Sequence, residues 1–89
     1  MSTATVTATA TPAYRILAPA EPASAGVASE FVAAVLIVLG RVALINDARL
    51  CVAGMVDDLV QAGREGELTV GVGMRGGGVV VTVAVDGGA

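Results

Sequence analysis

Four side chains in this sequence combine type and setting in a way that could do chemistry. Three lie in CVAGMVDDLVQAG (51–63), namely Cys51, Asp57 and Asp58, and the fourth, Asp86, opens the DGG at 86–88. The chain contains no histidine. Cys51 therefore has no imidazole to take its proton, and no Ser–His–Asp arrangement can be assembled. On a helix, the neighbouring Asp57 and Asp58 project about 100° apart, so they cannot share a proton as a carboxylate dyad. They read either as a solvated helix face or, for Asp58 alone, as a hard oxygen ligand for magnesium whose other ligands come from phosphates. Asp86 reads either as an edge turn or as a carboxylate at a strand end, where the glycines let a ligand come close. The single cysteine forms no disulfide within the chain and, without histidine, makes no zinc site. It reads as a small buried hydrophobe in a reducing, cytoplasmic compartment.

The same stretch raises a question about Gly54. Wound as a helix, it gathers Val52, Met55, Val56 and Leu59 on one stripe and Gly54, Asp58 and Gln61 on another. A mid-helix glycine costs roughly 1 kcal/mol relative to alanine. Either something must approach closely at Gly54 or a side chain is missing there.

The elements that would position these residues follow from pattern. Residues 1–12, MSTATVTATATP, are small, polar and low in complexity, and read as a disordered tail with no secretory signal. AYRIL (13–17) reads as a short strand. A first helix is expected from about Ala23, with Ser24 as N-cap, a stripe of Val27, Phe31, Ala34, Val35 and Val38, and Gly40 as its stop. The apolar run from Phe31 to Ile45 is about 15 residues with Arg41 inside it, short of the ~20 that a membrane span needs. A second helix should start at an Asn46 cap with Asp47 in its first turn, and end at Gly63. LTVGVGM and VVVTVAV alternate in period two, joined through RGGG. That glycine-rich stretch has no GK[ST] and is followed by a strand, so it reads as a hairpin turn and not a phosphate loop. The order strand–helix–helix–strand–strand predicts an α+β fold with two helices on one face of a small, mainly antiparallel sheet.

Composition narrows the function classes. The chain has 89 residues and a net charge of −3; all five basic residues are arginine and unclustered, which argues against nucleic-acid binding. It is 55% hydrophobic with one Phe, one Tyr and no Trp, so its core must be aliphatic. A domain of this size buries only about 60% of its unfolded surface and is marginal unless well packed or oligomeric.

Taken together, APAEPASAGVASEFVAAVL, NDARLCVAGMVDDLVQAG and ELTVGVGMRGGGVVVTVAVDGG resemble the bacterial anti-sigma-factor serine kinases of the GHKL superfamily. Their ATP-binding domain is the Bergerat fold shared with histidine kinases. The resemblance covers roughly residues 14–88, with PAEP, FVAAVL and DARL its more specific parts, and implies a histidine-kinase-like ATPase domain over 13–89. In that family the second helix carries E-x-x-x-N, the Glu a general base and the Asn a ligand of the magnesium that bridges the nucleotide phosphates. On this sequence the Glu position is Gly54 and the Asn position is Asp58. A hydrogen cannot accept a proton, so the resemblance implies a lost base. The family's D-x-G-x-G aspartate, which takes the adenine amino group, falls on Asp86, with Gly88 beside it. The ATP lid and second glycine box find no counterpart, which implies a shortened domain.

Three expectations follow. The first is a regulatory protein-binding module without kinase activity or bound cofactor. Its partner would be a sigma factor or an anti-sigma antagonist, and a homodimer is open to it. The second is a surviving Mg-ATP site on Asp58 and Asp86, completed by dimerisation or a second chain. The third, the least expected, is a small membrane-associated protein using residues 31–45.

Overall fold

In a computed structural model the described residues are 13–86; the expected tail at 1–12 and Gly88 lie outside them. The elements run β1 (Tyr14–Pro19), α1 (Ser24–Val38), a 3-10 turn (Val42–Leu44), α2 (Ile45–Gln61), β2 (Glu67–Arg75) and β3 (Gly78–Asp86). The sheet order is β1-β2-β3 and both pairings are antiparallel. α1 and α2 pack on each other and lie on one face of the sheet, α1 over β1 and β2 and α2 over β3. This is the two-layer α+β arrangement that the order of elements implies.

Register explains which side chains enter the core. Ile16, Val70 and Val83 share one rung, and Ala18, Leu68 and Val85 another. Leu68, Val70, Val72 and Val83 are buried beneath Val32, Leu36, Val52 and Val56, so the core is aliphatic throughout. Met74, placed on the same face by alternation, is exposed because β2 has by then run past the end of β1. β1 extends to Pro19, two residues further than the pattern suggests. A proline is tolerated there because β1 is an edge strand.

The hairpin turn is as expected. Arg75 pairs with Gly78, and the two residues between them, Gly76 (φ 56°) and Gly77 (φ 86°), both have positive φ. That combination marks a type I′ turn, whose twist matches the strands it joins. Both helices stop at their glycines. At Gly40 (φ 75°) the Gly40 N–H donates to Ile37 O at 3.1 Å and the Arg41 N–H to Leu36 O at 2.8 Å. Gly63 (φ 77°) repeats the pattern, with Gly63 donating to Val60 and Arg64 to Leu59. Each is a Schellman closure.

The helix starts differ from the expectation. Ser24 is the first residue of α1, not its cap, and its Oγ donates to the Pro19 carbonyl at 2.6 Å, tying α1 to the end of β1. Asn46 lies inside the first turn of α2, which Leu44 precedes with no side-chain cap, because the 3-10 turn hands its backbone straight into the helix. The buried face of α1 is also rotated from the expected one. Ala28, Val32, Ala33, Val35 and Leu36 are buried, whereas Val27, Ala34 and Val38 are exposed. VAAVLIVL is apolar all round, so spacing alone offers several stripes, and the anchor at Ser24 selects one.

Candidate functional site

α2 carries the candidate residues on its outer face. Val52, Met55 and Val56 are buried and Leu59 is half-buried, as the amphipathic pattern requires, leaving Gly54, Asp58 and Gln61 exposed. Cys51 belongs to that outer face too, since residues 51, 54, 58 and 61 recur at helical spacing. It is exposed, which corrects its reading as a buried hydrophobe. Its position one place before the buried Val52 puts it past the edge of the core stripe.

Gly54 has an ordinary helical backbone, and a Cβ built there meets no atom within 4 Å. Nothing within the described chain approaches closely enough to require glycine. Of the two explanations offered by the sequence, close packing against the described residues is removed.

Asp58 lies four residues further along, exposed and without a hydrogen bond or ion pair from its carboxylate among the described residues. No group of three or more His, Cys, Asp or Glu that could hold a metal exists among those residues. Magnesium at Asp58 would therefore take its remaining ligands from phosphate oxygens and water.

Asp86 closes β3 opposite Glu67. The next rung inward pairs Leu68 with Val85 on the helix-facing side, so Asp86 and Glu67 face the other way. Asp58 thus belongs to the helix layer and Asp86 to the reverse side of the sheet, and the fold does not turn them toward a common centre. Two carboxylates directly opposite each other across a rung repel.

One polar contact was not legible in the sequence. The Arg49 Nη2 donates to Glu30 Oε1 at 2.7 Å and to Oε2 at 2.8 Å, joining α2 to α1. Ser29 Oγ donates to the Arg49 carbonyl at 3.3 Å beside it, while the enclosed Arg49 Nε has no partner. Residues 19 apart in the chain obey no helical period, so only the packing of the two helices reveals the pair. Among the described residues no helix is long and apolar enough to cross a membrane.

Against this geometry we compared the chain with protein-family models, with curated proteins and with solved structures, and none matches.

Proposed function

We propose that the chain is a regulatory protein-binding module, related to the Bergerat domain of anti-sigma-factor kinases but without phosphotransfer. The observation that carries the binding role is the free edge of β3. This strand is nine residues long and rich in valine, and among the described residues no strand pairs with its outer side. Such an edge presents a row of unpaired N–H and C=O groups that a partner's strand can extend. A sigma factor or an anti-sigma antagonist is the partner class that the resemblance supplies.

The loss of phosphotransfer rests on Gly54. If the second helix is equivalent to that of the kinases, the base position holds a hydrogen in open space, and no neighbouring side chain takes its place. Asp58 could retain an oxygen for magnesium, yet without a base the attacking hydroxyl is not activated.

The test is transfer of radiolabelled phosphate from Mg-ATP to serine in proteins recovered bound to the chain. No label above that of a chain-free control is expected. Labelling that depends on the chain overturns the reading.

A further inference from the structure

The exposed apolar residues of this fold are gathered, not scattered. Of nine large hydrophobic side chains exposed among the described residues, six belong to one end: Tyr14, Ile37, Val38, Val42, Leu44 and Met74. The connections place them there. α1 begins beside Pro19, runs back toward the β2–β3 turn, passes through the 3-10 turn and returns as α2. Its 15 residues cover about 22 Å at 1.5 Å each, so its C-terminal end reaches the hairpin end of the sheet. Ile37 (60% exposed), Val38 (71%) and Val42 (62%) sit at the tip where one helix gives way to the other. Single exposed apolar residues are ordinary on a surface, whereas several at one end point to a contact.

Charge divides along the same axis. Arg41 and Arg75 lie at the apolar end, and Arg15 is one residue in from Tyr14. Asp47 is the one acid of that end among the described residues. Glu21, Asp57, Asp58, Glu65, Glu67 and Asp86 lie at or toward the opposite end, and Glu30 is taken up by Arg49. Arg64 lies at the acidic end beside Glu65 and Arg49 pairs with Glu30, so three of the five arginines, Arg15, Arg41 and Arg75, lie at the apolar end of a chain of net charge −3.

We propose that this tip docks on the surface of an anionic lipid bilayer. Ile37, Val38 and Val42 enter the boundary between headgroups and acyl chains, while Arg15, Arg41 and Arg75 meet lipid phosphates. The acidic end then points away from the membrane, which an anionic surface requires. A second copy of the chain fits this tip less well, because a twofold contact would bring two copies of the same arginine-bearing end together. The contact is peripheral and goes beyond the protein-binding role, leaving the β3 edge free.

Flotation of the full chain with lipid vesicles tests the proposal. Vesicles of phosphatidylcholine with about one third phosphatidylglycerol should bind it about tenfold or more tightly than phosphatidylcholine alone, and raised salt should weaken binding. Arg41→Gln and Arg75→Gln should each weaken it about fivefold. Val38→Ser with Val42→Ser should abolish it; both positions are exposed, so circular dichroism should show an unchanged fold. A folded chain that floats with neither vesicle, or equally with both, overturns the proposal. Self-association removed by the two serines, without vesicle binding, would also overturn it and give the tip to a second copy.

Discussion

Gly54 and the Glu30–Arg49 pair show how much a single position can carry. Gly54 sits in the middle of α2 with open space around its missing side chain and no positive φ. Gly54→Ala should therefore raise stability, by about 1 kcal/mol, through helix propensity and a less flexible unfolded chain. Chemical denaturation measures this, and a loss of stability would mean that the glycine answers a need of the fold. The Glu30–Arg49 bond is short but largely in solvent, the two side chains being 71% and 41% exposed. Glu30→Gln should cost less than about 1 kcal/mol, and the difference should shrink in high salt. The glycine was legible in the sequence as an anomaly, because the cost of a mid-helix glycine is local. The ion pair was not, since it exists only once two helices lie side by side. Cys51 was misjudged for a related reason: its neighbours are apolar in sequence, but the helix turns it outward.

At the scale of elements, strands and helix ends were easier to read than helix faces. β2 and β3 alternate cleanly, and RGGG marks the turn between them because only a residue without Cβ adopts positive φ freely. The same chemistry stops both helices, at Gly40 and Gly63. What failed was the rotation of α1, whose all-round apolar surface carries no phase, and the helix starts, where Ser24 anchors to Pro19 and the 3-10 turn replaces a cap. Gly77, with φ 86°, is the position where the hairpin depends most on glycine. Gly77→Ala should cost about 1–2 kcal/mol, while Gly76→Asn should be tolerated, since asparagine is at home in the first position of a type I′ turn. Thermal unfolding of the two variants distinguishes them, and equal melting temperatures would contradict the turn assignment.

For the molecule as a whole, the two layers leave one sheet face and both sheet edges uncovered among the described residues, and they separate an apolar, basic end from an acidic one. Neither property is visible along the chain, because Met74, Tyr14 and the α1–α2 turn come to the same end only through folding. The two carboxylates that the resemblance assigns to magnesium and adenine lie in different layers. Asp58 stays on the outer face of α2, Asp86 faces away from the helices, and the intervening space holds no cluster able to grip a metal among the described residues. The central proposal is that this chain works by contact and not by nucleotide chemistry. Calorimetric titration of Mg-ATP into the folded full chain tests it most directly. The account predicts no saturable heat in the micromolar range; saturable micromolar binding that Asp58→Ala abolishes would contradict it.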